Sequence, residues 1–219
     1  ILQKIKDYRE IEGKSLGEKK DWLQDDYVKF YRFAQWKIEQ TGQGILGFIT
    51  NNSWLDNPTF RAMRFSLLKT FDEIYILNLH GSALKKEKTP DGEKDENVFD
   101  IQTGVAVVIL IKHKTSSQKK IRNLDLWGSR QEKYDWLDSH DTSYDGWGEL
   151  KPAEPYYFLV KRNEVGQEEY NKFVSLTDIF STYSTGVLTA NDSFAIDFDK
   201  QILETRMRTF ANSEGDNEY

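Results

Sequence analysis

The sequence predicts an α/β protein built as the C-terminal half of a doubly wound sheet with a terminal antiparallel hairpin strand, followed by a small α+β segment. Three observations predict it. Tyr27, Phe30, Tyr31, Ala34 and Ile38 recur at spacings of three and four, which places them on one face of a helix. Gly44-Ile45-Leu46-Gly47-Phe48-Ile49-Thr50 is a short, nearly unbroken apolar run, the pattern of a strand covered on both faces of a parallel sheet. The order of elements is then helix, strand, helix, strand, loop, strand.

Taken in order, residues 1–24 are polar and read as a loop or short helix on a surface. The first long helix starts at Asp25, where Asp25 and Asp26 suit its positive end, and Thr41-Gly42 stops it. After the strand at 44–50, residues 51–57 form a loop, and Asn57-Pro58 starts a helix with Asn as cap and Pro at the first position. Phe60, Met63, Leu67 and Phe71 form its buried face, and it ends near Thr70. Residues 74–79 form a second strand, and a charged excursion over 85–96 turns at Pro90-Asp91-Gly92. Strands follow at 104–112 and 121–127. Segments 44–50 and 72–79 are expected to run parallel, with 103–112 inserted between them and antiparallel to both. Residues 128–155 read as a connector, 164–173 as a helix, and 174–180 as the approach to a Ser/Thr-rich stretch at 181–186. Two domains are expected, 1–150 and 151–219.

Composition narrows the function classes. The 38% hydrophobic and 14% aromatic content belongs to a folded protein, and charges of both signs are mixed along the chain. A formal charge of −6 argues against a protein that merely coats nucleic acid. No apolar run approaches the ~20 residues of a membrane span, so no membrane partner is expected. The absence of cysteine removes disulfides and thiolate metal sites and fits the cytoplasm. The chain opens at Ile1 without an initiator methionine and closes on a polar run, which reads as a segment cut from a longer protein.

Several stretches carry a resemblance. Trp22-Leu23-Gln24-Asp25-Asp26-Tyr27-Val28-Lys29-Phe30 and Gly44 through Leu55 are joined by Asp56-Asn57-Pro58-Thr59-Phe60-Arg61. Phe71-Asp72-Glu73-Ile74-Tyr75-Ile76-Leu77-Asn78-Leu79-His80-Gly81 follows, then Asp95-Glu96-Asn97-Val98-Phe99-Asp100-Ile101 and Thr103-Gly104-Val105-Ala106. Together they resemble gamma-class adenine-N6 DNA methyltransferases, in particular single-chain restriction-modification enzymes, over roughly residues 20–112. The likeness resumes at Leu176-Thr177-Asp178-Ile179-Phe180, which is similar to the entry of the family's target-recognition domain. It implies a Rossmann-like partial methyltransferase domain over 1–150, and a connector with the start of the recognition domain over 151–219. It also implies double-stranded DNA as partner, the rest of a parent polypeptide as a second, and S-adenosylmethionine as cofactor of the complete enzyme.

The family's glycine motif and its Asn-Pro-Pro-Tyr motif are absent. The only Asn-Pro, Asn57-Pro58, continues as Thr59-Phe60. The chain alone is therefore expected to hold no S-adenosylmethionine, no metal and no catalytic residue. A competing class is a non-catalytic DNA-specificity module built on a degenerate methyltransferase fold.

The resemblance marks Phe99 as the ring that stacks on the flipped adenine, a contact worth ~1–3 kcal/mol; alternatively Phe99 plugs the core at a strand entrance. Asn51, Asn52 and Ser53 follow the carboxyl end of a strand, where doubly wound sheets bind ligands, and either edge the base pocket or cap the next helix. Trp54 reads as packing. Arg61, Arg64 and Lys69 share a helix surface and either meet phosphates or are simply solvated. The same holds for Lys85, Lys86, Lys88 and Lys94. Thr182, Tyr183, Ser184 and Thr185 have the hydrogen-bonding character of a base-reading loop. His80, His113 and His140 are dispersed and read as incidental.

Overall fold

The computed structural model describes residues 4–18, 21–115, 118–163, 165–182, 189 and 191–212. They belong to two compact units, Ile1–Asn163 and Glu164–Tyr219. The first begins with a 3-10 turn, Lys4–Arg9, and a short hairpin of β1 (Glu10–Ile11) and β2 (Lys14–Ser15). This segment is more than surface. Ile5 and Tyr8 are buried in the core, the Tyr8 hydroxyl donates to Gln35 at 2.7 Å, and Arg32 pairs with Asp7 at 2.6 Å.

Helix α1 (Asp26–Thr41) ends at Gly42, whose left-handed φ of 75° lets its N–H reach the Ile38 carbonyl. Val28, Tyr31 and Ile38 face the core, whereas Phe30 turns outward to meet the edge of Phe48. Strand β3 (Gly44–Asn51) leads into 3-10 turns and α2 (Arg61–Thr70). Asn57 caps as expected, its side chain accepting from the Thr59 N–H with Pro58 in the first turn. At the other end Lys119 donates to the Leu68 and Phe71 carbonyls, satisfying oxygens that a helix terminus leaves open.

The remaining strands are β4 (Glu73–His80), β5 (Val105–Lys112), β6 (Lys120–Asp125) and β7 (Gly148–Glu149), with α3 (Arg130–Ser139) before β7. The five-stranded sheet runs β3-β5-β4-β6-β7. As expected, β5 lies between β3 and β4 and is antiparallel to both, pairing Ala106 with Thr50 on one side and Asn78 on the other. β6 is parallel to β4. One sheet face packs Ile74, Ile76, Ala106, Val108 and Leu110 with the buried sides of α1 and α2. The other packs Leu77, Leu79 and Val105 with Trp136 and Leu137 of α3.

Three expectations change. β3 is covered on one face only, with Ile45 69% and Ile49 48% exposed, because α3 covers the opposite face over β4 and β6. The supposed connector contains α3, started by a capping box in which Ser129 and Glu132 satisfy each other's backbone N–H. Residues beyond 150 pack onto the first unit: Leu159 is buried in its core and donates its N–H to the Leu55 carbonyl.

In the second unit the expected helix over 164–173 is a single turn, α4 (Gln167–Tyr170). Further short turns are α5 (Leu176–Ile179) and α6 (Asp192–Ala195), before the longer α7 (Lys200–Asn212). Arg206 of α7 holds α6 through the Ser193 and Phe194 carbonyls, and Phe210 meets Phe194 edge-on.

Candidate functional site

The carboxyl ends of β3, β4 and β6 gather at one edge of the sheet, the edge at which doubly wound folds hold ligands. There Asn52 donates to Asn78 at 3.0 Å, and His80 Nε2 lies 2.9 Å from Asp125. His80 also lies 3.7 Å from Glu87 and stacks on Trp127 with ring centres 3.4 Å apart. These side chains line a cavity of about 230 Å³ together with Asp56, Lys85, Val160 and Lys161. Burial pushes the His80 imidazolium towards its neutral form, but hydrogen bonds and charge from Asp125 and Glu87 outweigh it and hold the group above the usual histidine range. Glu87 is correspondingly held low by its bonds to His80 and the Ser82 N–H, against its own burial.

Beyond His80 the chain makes the long excursion that carries Phe99. Gly81, at φ 81°, lies so close to Asn97 that an added Cβ would sit 2.4 Å from its Cα, so only glycine fits. Asn97 pins the base of the loop: its amide donates to the Gly81 and Thr103 carbonyls, and its side-chain oxygen accepts the Phe99 N–H at 2.9 Å. Phe99 is 44% exposed, so it does not plug the core. It borders a cleft of about 900 Å³ shared with Lys86, Lys94, Ile101, Gln102 and Arg130.

The other expected site residues divide. Asn52 is buried at the sheet edge and belongs to the polar network there. Asn51 accepts from the Ser53 N–H and hydroxyl, so this pair builds a local turn. Trp54 is core, with its indole N–H on the Thr50 hydroxyl. On α2, Lys69 is exposed and Arg61 is half-buried. Arg64 is corrected: it is 0% exposed, and its guanidinium donates to the carbonyls of Trp54, Asn57 and Tyr156. With its donors spent on buried main-chain oxygens, Arg64 is a structural staple and not a phosphate contact. Thr182 is exposed in the second unit, while Tyr183, Ser184 and Thr185 lie outside the described residues.

Residue-by-residue reading takes His80 as incidental and passes over Asn78, Asp125 and the α3 side chains Arg130, Lys133 and Tyr134. The Ser129-to-Glu132 capping box was a usable signal for α3; the pairing of His80 with Asp125, 45 positions away, left none. Among the described residues there is no group of three or more His, Asp or Glu side chains placed to hold a metal, and no helix long and apolar enough to cross a membrane.

Neither a family model nor a curated protein sequence matches the chain. Solved structures do. The ATP-dependent Type ISP restriction-modification enzyme LlaBIII, bound to DNA, is similar at 27% identity and a TM-score of 0.66 over 95% of this chain and 14% of that one. The DrdV–DNA complex is similar at 25% identity and a TM-score of 0.64, over 89% of this chain and 20% of that one. A nuclease-deletion mutant of the Type ISP enzyme LlaGI, with a DNA substrate mimic, shares the fold at 24% identity and a TM-score of 0.67, over 94% and 20%. The chain is thus built like a segment of a restriction-modification enzyme, and spans 20% or less of the length of these relatives.

Proposed function

We propose that this chain supplies the target-base side of a site-specific DNA adenine-N6 methyltransferase within a restriction-modification enzyme. The observation that carries the reading is Phe99: a half-exposed ring on a loop braced at the ligand-binding edge of the sheet, beside an open cleft. An adenine extruded from double-stranded DNA would stack on that ring, since base-aromatic stacking offsets the loss of stacking in the duplex. The neighbouring Lys86 and Lys94, and Arg61 and Lys69 on α2, suit contacts to the phosphates that position the duplex. The second unit is the start of the target-recognition domain, where Thr182 is exposed and open to contact with base edges. The architectural likeness to a DNA-bound restriction-modification enzyme and to the DrdV–DNA complex supports this assignment.

S-adenosylmethionine would supply the methyl group in such an enzyme, and Asn57-Pro58 does not offer the free Asn-Pro site that receives the adenine amino group. The side chain of Asn57 is engaged by the Thr59 N–H and its carbonyl by Arg64, and the following Phe60 is buried, so Asn57-Pro58 is a helix start. On this reading the cofactor and the groups that bind the adenine amino nitrogen belong to the rest of the parent polypeptide. That partner has a place to join: β3 pairs with β5 on one side, and on the other no strand lies among the described residues.

The test is Phe99→Ala in the full polypeptide. Single-turnover methylation of plasmid DNA should slow roughly 5- to 150-fold, the equivalent of ~1–3 kcal/mol of stacking, with an unchanged melting temperature. Phe99→Tyr and Phe99→Trp should keep much of the rate. A folded Ala variant methylating at the parent rate refutes the assignment.

A further inference from the structure

Every main-chain carbonyl from Glu96 to Phe99 is held by a side chain of α3. Lys133 donates to the Glu96 carbonyl at 2.6 Å, Arg130 Nε to Asn97 at 2.8 Å, the Tyr134 hydroxyl to Val98 at 2.5 Å, and Arg130 Nη2 to Phe99 at 3.2 Å. These three donors stand at positions i, i+3 and i+4, which share one face of a helix. We propose that this face of α3 is a positioning device that fixes the direction of the Phe99 ring, with Arg130, Lys133 and Tyr134 as its positioning residues. The inference rests on the reading of Phe99 as the base-stacking ring.

The geometry goes beyond ordinary loop packing in three respects. All four contacts go to backbone, so they act on the path of the chain itself and not on the Phe99 ring; Arg130 adds one side-chain contact, to Asp100 at 2.7 Å. The device is also anchored to the sheet. Lys133 is fully buried, pairs with Asp95 at 2.8 Å and donates a further bond to the Leu79 carbonyl of β4, while Trp136 and Leu137 pack beneath. Finally, the contact is reciprocal: the Glu96 side chain accepts the Arg130 N–H at 3.1 Å, and the Glu96 N–H donates to the Gly128 carbonyl. A loop of this kind left to itself would have to be ordered when a base arrives, and that cost opposes binding and alignment. Held in advance, the ring is placed before the base leaves the duplex.

The experiment is a double-mutant cycle in the full polypeptide, measuring single-turnover methylation of plasmid DNA at saturating concentration together with DNA affinity and thermal melting. Arg130→Gln should slow methylation by about 10-fold, and Tyr134→Phe by a smaller factor, with DNA affinity unchanged. In a Phe99→Ala background neither should slow it further, because the ring they orient is gone. Arg130→Lys, which keeps one donor, should recover part of the rate. If Phe99→Ala is slow but the Arg130 effect persists undiminished beside it, or if Arg130→Gln and Tyr134→Phe both run at the parent rate, the positioning role is overturned and the stacking reading survives. If Phe99→Ala itself runs at the parent rate, the stacking reading falls and takes the device with it. Should Arg130→Gln fail to fold, Tyr134→Phe removes a single oxygen and completes the same cycle.

Discussion

Arg64 directs its donors at main-chain oxygens: Trp54 and Asn57 from the turn before α2, and Tyr156 from 92 positions further on. Burial pushes its guanidinium down to about 9, against the raising influence of Asp56. A cation is tolerated there because its N–H groups are spent on main-chain carbonyls. Arg64→Met, which keeps much of the volume, should therefore cost about 2–4 kcal/mol of stability. It should leave the dependence of DNA affinity on salt untouched, whereas loss of a phosphate contact lowers the logarithmic slope by ~1. Thermal melting and a salt titration of the full polypeptide check both halves; a stable variant with the lower slope would return Arg64 to the phosphate set. The helical phase of Phe60, Met63 and Leu67 was legible because apolar residues report burial directly. Arg64 was not, since what draws it inward is the backbone of residues remote in sequence.

At the scale of elements, the carboxyl ends of β4 and β6 are joined to the start of the Phe99 loop through His80. His80 itself takes φ 51°, a conformation uncommon outside glycine, and is held there by Asp125, Glu87 and the Trp127 ring. Its protonated form is the one these carboxylates favour. Because the folded state raises His80, its contribution is fully present below the unfolded value near ~6.5 and is lost as pH rises through the folded value. Glu87 is lowered, so its contribution is present above the usual glutamate value and is lost as pH falls through the folded one. Lys85, Asp56 and Lys161 line the same cavity, and the charge of Lys85 adds to the lowering of Glu87. Hydrogen-exchange protection of the amides in residues 82–88 should fall as pH rises past the folded His80 value, and His80→Gln should abolish that step. Protection that is flat or increasing across this range would mean the loop is held by something else. The helix α3 beside it was missed although its capping box stands in the sequence, because Arg130, Lys133 and Tyr134 put polar groups on a face that periodicity reads as solvent.

At the scale of the whole first unit, the topology was the most legible feature, since the insertion of β5 between β3 and β4 was expected from the order of the elements. What local pattern misjudged was coverage. The apolar run of β3 reads as a strand buried on two faces, yet Ile45 and Ile49 stand open while Leu46 and Phe48 pack inward. An apolar strand with a free edge is a template for further pairing, which folded proteins normally cover or block. On the proposed reading the preceding part of the methyltransferase domain supplies both strands for this edge and helices for this face, and the two isoleucines then record an interface. Replacing both by lysine should change the stability of the 219-residue chain by no more than about 0.5 kcal/mol per position, the range of ordinary surface substitutions. In the longer polypeptide the same pair should cost at least about 1.5–3 kcal/mol for each side chain whose burial is lost. Urea titration of the double variant in both contexts measures the difference. Equal, small effects in both would mean that β3 stays an outer strand and that the partner sheet joins elsewhere.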